Sequence, residues 1–75
     1  MSLDPHKLRK MREARLMTQA ELADAIGVAH STISRIETGA AEPRYSTIRK
    51  LARALHVIPA ALLRDTELYY DKQDE

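Results

Sequence analysis

The chain has 75 residues, a formal net charge of +1 and no cysteine. This length allows one small domain, which buries roughly 60% of the surface of its unfolded chain. Without cysteine there is no disulfide framework and no thiolate metal site, and no apolar run approaches the ~20 residues of a membrane span. The opening Met1-Ser2-Leu3-Asp4 is not a signal peptide, so we expect a cytoplasmic protein that does not enter a membrane.

The charge is divided unevenly along the chain. Residues 1–64 carry eleven Lys or Arg and six Asp or Glu, whereas residues 65–75 carry one Lys and five acids. A basic body suits a polyanionic partner, although ordinary solubilising charge gives the same balance. The shift in charge predicts two parts, a domain at 1–64 and an acidic tail at 65–75.

The first helix signal lies close to the start of the chain. Asp4 is a good N-cap and Pro5 suits the first turn, so a helix should run from here to about Arg15. Helical spacing predicts that its inner edge holds Leu8, Met11, Arg15 and Leu16.

Two short helices follow in the segment TQAELADAIGVAHSTISRIETG, residues 18–39. Thr18 and Glu21 form a capping box that starts a helix over about 19–26, and Gly27 ends it. The next helix covers about 30–37 and ends at Gly39. A helix this short needs a neighbour to pack against.

Residues of the segment 30–37 divide into two faces. Ile33 and Ile36 form an inward stripe at helical spacing. The opposite face carries hydroxyls and a guanidinium, which bind phosphates and base edges. The side chains on that face are Ser31, Ser34, Arg35 and Thr38.

A fourth helix is predicted over about 45–55, with an apolar stripe of Ile48, Leu51, Ala52 and Leu55. Pro59 opens a fifth helix that runs to about Arg64 or a little beyond. The tail 67–75 either extends this helix towards a subunit interface or frays. The chain therefore predicts an all-α fold, five helices around one core.

Residues 6–64 resemble the helix-turn-helix of lambda repressor and Cro-like regulators, the xenobiotic-response-element (XRE) family. The matching residues are Leu8-Arg9, Arg12-Glu13, Thr18-Gln19, Glu21-Leu22-Ala23, Ile26-Gly27-Val28, Ser31-Thr32-Ile33-Ser34, Ile36-Glu37, Gly39, Pro43, Leu51-Ala52, Ala54-Leu55, Val57 and Leu62-Leu63. The resemblance implies a compact lambda-repressor-like DNA-binding domain whose third helix lies in the major groove.

The same resemblance assigns roles to individual residues. Base-reading candidates on the third helix are His30, Ser31, Ser34 and Arg35. Phosphate candidates are Gln19, Thr18, Arg44 and Thr38. Arg35 suits a guanine or a phosphate, and His30 suits a base, a phosphate or packing at the helix start.

The chain departs from the family pattern at several positions. The loop Ala40-Ala41-Glu42 replaces residues that are often basic in relatives, which weakens the expected grip on a phosphate. Ala29 and Arg44 replace the polar caps of the third and fourth helices, and His56 replaces a helix-ending glycine. Ile58 replaces the cap of the fifth helix and is a candidate dimer contact.

Arg12 and Glu37 each lie one turn after a core residue of their helix. Relatives often pair residues at these two positions, so we expect an ion pair that joins the first helix to the third. If the pair is desolvated, breaking it costs roughly 3–5 kcal/mol, against about 0–1 kcal/mol for an exposed pair.

An enzyme is not expected from these residues. The three histidines, His6, His30 and His56, are far apart in sequence and lack metal-ligand spacing. The sequence has no phosphate-binding glycine loop, and we expect no cofactor, metal or small-molecule ligand. The favoured interpretation is a homodimeric transcriptional regulator, more readily a repressor than an activator, that binds a near-palindromic site in double-stranded DNA. The alternative is an antitoxin-like or adaptor protein-interaction module.

Overall fold

The computed structural model describes residues 2–65, and in this range it is helical. Four α-helices, α1 (Pro5–Ala14), α2 (Gln19–Ile26), α3 (His30–Thr38) and α4 (Tyr45–Leu55), precede a 3₁₀ helix (Pro59–Leu62). The all-α prediction is therefore confirmed. The tail at 67–75, for which two conformations were predicted, lies outside the described residues.

Helix starts differ in how their free N–H groups are bound. The Asp4 carboxylate accepts hydrogen bonds from the backbone N–H groups of His6 and Lys7 at the start of α1. Thr18 and Glu21 exchange the two bonds of a capping box at α2. In contrast, α3 and α4 start without a side-chain cap, as Ala29 and Arg44 predict.

The predicted fifth α-helix is a single 3₁₀ turn, so its extent to Arg64 was wrong. After Leu62 the chain becomes extended and pairs with the N-terminal segment. The Asp4 N–H donates to the Leu62 carbonyl, and the Arg64 N–H donates to the Ser2 carbonyl. These bonds to residues 2–4 replace the bonds that would continue a helix.

A second correction concerns the end of α1, which stops at Ala14. Leu16 has a left-handed φ of 57° and is 91% exposed, so its predicted place on the inner edge was wrong. Arg15 is also exposed, and its Nε donates to the Leu55 carbonyl at 2.9 Å. The helical spacing no longer applies beyond Ala14, and the next apolar residue, Met17, packs against the core instead.

One apolar core joins the elements. Its buried members are Leu3, Leu8, Leu22, Ala23, Ile26, Ile33, Ile36, Ile48, Leu51, Ala52, Leu55, Leu62 and Leu63. Leu3, only 1% exposed, was not predicted because it precedes the first helix and is buried by a contact with the distant Leu63.

The packing of the helices determines which side of α3 faces the core. α2 packs against both α3 and α4, α1 packs against α3 and the 3₁₀ helix, and α4 packs against the 3₁₀ helix. α3 is thus held by α1 and α2 on its inner side. Its other side is the surface on which a functional site was predicted.

Candidate nucleic-acid interface

The two faces of α3 are as different as the sequence predicts. Ile33 and Ile36 are 0% and 2% exposed. The opposite face consists of His30, Ser31, Arg35 and Thr38, which are exposed, and Ser34, which is half-buried. Because no other part of residues 2–65 covers this face, its hydroxyl and cationic groups are accessible to a partner within the described structure.

Arg35 is the cation of this face. Within residues 2–65 its guanidinium has no ion pair and no hydrogen bond, whereas its carbonyl accepts the N–H groups of Ala40 and Ala41 after the helix end. The backbone around Arg35 is therefore fixed while its side chain remains free to donate. A guanidinium in this setting suits the O6 and N7 acceptors of guanine, or a phosphate.

The two threonine candidates for phosphate contact are already engaged. The Thr38 hydroxyl donates to the Arg35 carbonyl at 3.1 Å, so it must rotate before its one hydrogen reaches a phosphate. The Thr18 hydroxyl accepts from the Glu21 N–H at 3.0 Å and keeps its own hydrogen available. Of the two, Thr18 is the better placed to donate.

Arg12 and Glu37 form a buried pair that joins α1 to α3. Arg12 Nε lies 2.6 Å from Glu37 Oε2, and Arg12 Nη2 lies 3.0 Å from Glu37 Oε1. Arg12 Nη1 also donates to the Met17 carbonyl at 2.8 Å. The side chains are 10% and 3% exposed, so this bidentate contact is largely removed from water.

The charges of this pair support each other. Burial raises the pKa of Glu37, but hydrogen bonds from Arg12 and Gln19 and the charge of Arg12 outweigh it, and the net pKa is below the ordinary value. The hydrogen bond to Glu37 raises the pKa of Arg12 in spite of burial. Both groups therefore stay charged at neutral pH.

Gln19 connects this pair to the start of α3. Its Nε2 donates to Glu37 Oε1 at 3.0 Å, and its Oε1 lies 3.2 Å from His30 Nε2. Four side chains from three helices thus form a continuous chain, Arg12–Glu37–Gln19–His30, which we call the polar brace. Gln19 was predicted only as a phosphate contact, and its second amide hydrogen remains for that role.

The acidic residue in the loop before α4, Glu42, has a structural role. The Glu42 carboxylate accepts the Leu3 N–H at 3.0 Å and so fixes the N-terminal segment. Arg44, the phosphate candidate of this loop, is exposed and makes no side-chain hydrogen bond among the described residues. The departure from a basic loop therefore supplies a tertiary contact, which local sequence signals do not reveal.

Residues 2–65 contain no cluster of His, Asp and Glu that could hold a metal ion. None of the helices in this range is long and apolar enough to cross a bilayer.

The arrangement of α2, the Gly27 turn and an exposed, polar α3 defines a helix-turn-helix domain. Residues 8–63 match the helix-turn-helix family, and the chain belongs to it. The fold is that of lambda-repressor-like domains, as the resemblance implied.

Three known proteins illustrate this similarity. The cryptic phage CTXphi transcriptional repressor RstR of Vibrio cholerae is 36% identical over 89% of this chain and 60% of its own length. The P22 c2 repressor, solved in complex with a synthetic operator, is 30% identical with a TM-score of 0.77, over 85% of this chain and 97% of that chain. A hydroxyethylphosphonate dioxygenase variant is 34% identical with a TM-score of 0.71, but only 14% of that chain is covered.

Proposed function

We propose that the protein is a transcriptional regulator, a repressor, that binds double-stranded DNA with α3 in the major groove. The single observation that carries this proposal is the uncovered polar face of α3, on a helix fixed from behind by the core and the polar brace. The similarity to repressors over most of this chain supports it, although the chain spans 60% of the length of RstR. Occlusion of a promoter is the simplest action for such a domain, and a cytoplasmic location follows from this role.

Roles of individual residues follow from position and chemistry. Arg35, Ser31 and Ser34 face the base edges, with His30 at the start of the same helix. The phosphate backbone of the adjoining DNA strand is bound by Thr18, Gln19 and Arg44. Helix α2 crosses this backbone, and the N-terminal amides of α2 attract an anion. With about six phosphate contacts per dimer, affinity falls with salt at a log–log slope near −5.

A homodimer places two α3 helices about 34 Å apart, so that the site is nearly palindromic. We assign the dimer contact to the cleft between α4 and the 3₁₀ helix, of about 230 Å³, which is lined partly by Tyr45, Pro59 and Leu63. Tyr45 and Ile58 are 57% and 70% exposed. Apolar side chains exposed beside an apolar cleft favour a contact with a second copy.

The proposal is tested by fluorescence anisotropy with duplexes selected from random sequence. We expect salt-sensitive binding, and Arg35→Ala should reduce discrimination at one base pair by roughly 1–3 kcal/mol. Arg53→Ala is the matched control, because Arg53 is also exposed but lies on α4. An equal loss on all sequences would make Arg35 a phosphate contact, and salt-insensitive or absent binding would favour the protein-interaction alternative.

The dimer is tested separately by light scattering. Ile58→Glu should give a monomer, because a carboxylate would be desolvated in the contact. Leu16→Glu is the matched control, since Leu16 is even more exposed, at 91%, but lies at the α1–α2 corner. A dimer that survives Ile58→Glu, or a wild-type monomer at the concentration that saturates DNA, would contradict this assignment.

A further inference from the structure

The hydrogen atoms of the polar brace can be assigned from one end to the other. Glu37 is ionised, and both of its oxygens are bound by Arg12. A carboxylate only accepts hydrogen bonds, so the group of Gln19 that faces it must be the amide NH₂. The reverse orientation would bring two oxygen acceptors to about the same 3.0 Å separation. The amide of Gln19 therefore has one permitted orientation.

This orientation determines what His30 presents. With its NH₂ on Glu37, Gln19 presents its carbonyl oxygen to His30 Nε2 at 3.2 Å. A carbonyl oxygen has no hydrogen to donate, so Nε2 must carry the proton of the neutral ring. The second ring nitrogen, Nδ1, then holds a lone pair, and no hydrogen bond engages it within residues 2–65.

We propose that the polar brace makes His30 a hydrogen-bond acceptor in the groove, selective for a base that bears an amino group. In the major groove adenine presents its N6 amine and cytosine its N4 amine, whereas guanine and thymine present only acceptors and a methyl group. A phosphate also only accepts, so the neutral ring does not bind one through Nδ1. Gln19 is then a positioning residue for base selection, in addition to any contact of its own with a phosphate.

The inference rests on the proposed DNA-binding function, but its first half can be measured without DNA. In the free protein, at a pH where the ring is neutral, proton–nitrogen correlation spectra report which ring nitrogen carries hydrogen. We expect hydrogen on Nε2 alone. Gln19→Met removes the carbonyl while keeping the side-chain length, and it should move both ring nitrogen shifts towards the average of two tautomers.

The matched control is Ala20→Met, which places the same side chain in the same turn of α2 at an exposed position outside the brace. It should leave the His30 spectrum unchanged. A wild-type ring that carries its hydrogen on Nδ1, or a Gln19→Met spectrum identical to that of the wild type, would overturn the inference.

The second half uses duplexes that differ at one base pair. At the position facing His30 the wild type should prefer adenine or cytosine over guanine or thymine by roughly three- to tenfold, as expected for one hydrogen bond. His30→Ala should remove this preference, and Gln19→Met should reduce it, while Ala20→Met retains it. A wild-type preference for guanine or thymine at this position would contradict the inference but leave DNA binding intact.

The two failures are distinguishable. If no variant discriminates between duplexes at any position, the proposed function and the base preference fail together, whatever the ring spectra show. If the protein is sequence-specific but His30→Ala changes no single position, only the role given to His30 fails.

Discussion

The two halves of the fold are held together by different kinds of contact. In the half formed by α1, α2 and α3, the polar brace adds directed hydrogen bonds of 2.6–3.2 Å to the core. In the half formed by α4 and the 3₁₀ helix, apolar side chains meet, and residues 2–65 add no such side-chain network there; the buried side chains are Ile48, Leu51, Ala52, Leu55, Leu62 and Leu63. Apolar burial is non-directional, whereas hydrogen bonds fix rotation as well as position. The directed hydrogen bonds therefore lie in the half that contains α3, the helix whose side chains must be presented accurately.

The largest expected effect comes from breaking the brace at its buried end. Glu37→Ala leaves the Arg12 charge buried without a partner, so the free energy of unfolding should fall by roughly 3–5 kcal/mol. Urea denaturation followed by circular dichroism measures this loss. In the apolar half, Leu51→Ala should cost about 2–5 kcal/mol through a cavity, with no effect specific to α3.

A double variant shows whether such a loss comes from the unpaired charge of Arg12 or from a net contribution of the ion pair to stability. Arg12→Met combined with Glu37→Leu removes both charges, and its stability should equal or exceed that of the wild type, since apolar replacement of a buried pair is often neutral or stabilising. DNA discrimination should nevertheless decrease, because Gln19 loses the carboxylate that orients it. A loss below about 1 kcal/mol for Glu37→Ala would instead place the pair with exposed ones.

The second expected effect is a dependence of stability on pH. Net lowering of the Glu37 pKa means that the folded state holds this carboxylate ionised more firmly than the unfolded state. Ionised Glu37 contributes fully to the free energy of unfolding above the ordinary pKa of 4.5. This contribution is lost as the pH falls from 4.5 through the lower pKa of the folded state. Urea midpoints between pH 6 and pH 3 should decline less in the double variant than in the wild type. Parallel curves would contradict this role for Glu37.

Local signals in the sequence predicted much of this architecture. The capping box of Thr18 and Glu21 and the left-handed Gly27 involve residues close in sequence, and the helix bounds followed from them. The Leu3–Leu63 bridge joins residues at opposite ends of the domain, so no local pattern indicates it. The predicted extent of the fifth helix was wrong because this pairing competes with helix formation at the same residues.

The candidate site, like the fold, could be predicted where it depends on residues close in sequence. The uncovered face of α3 follows from the spacing of Ile33 and Ile36. The link from Gln19 to His30 depends on side-chain rotamers and on the buried charge of Glu37, which sequence spacing does not specify. One signal for this link is present in the sequence, because Gln19 and His30 start consecutive helices and a tight turn brings such positions together.

A third, smaller effect concerns the two helices that start without a cap. Ala29→Ser and Arg44→Ser should each stabilise the fold by about 0.5–2 kcal/mol by binding a free N–H group. Thermal denaturation measures both gains, with Thr18→Ala as the reverse control at α2. The gain should be smaller at Ala29 than at Arg44, because Gln19 already holds His30, the first residue of α3. If Ala29→Ser gains as much as Arg44→Ser, the brace adds no order to the start of α3.

The smallest effect tests whether the halves share one source of strain. Leu16 lies in the polar half and His56 in the apolar half, and both adopt a left-handed backbone with φ of 57° and 58°. Replacing either by glycine should raise the free energy of unfolding by about 0.5–1 kcal/mol, because glycine reaches this conformation without a Cβ clash. Leu16→Ala, which keeps the Cβ, should give no such gain. A gain from alanine equal to that from glycine would attribute the cost of Leu16 to its exposed apolar side chain, not to its backbone.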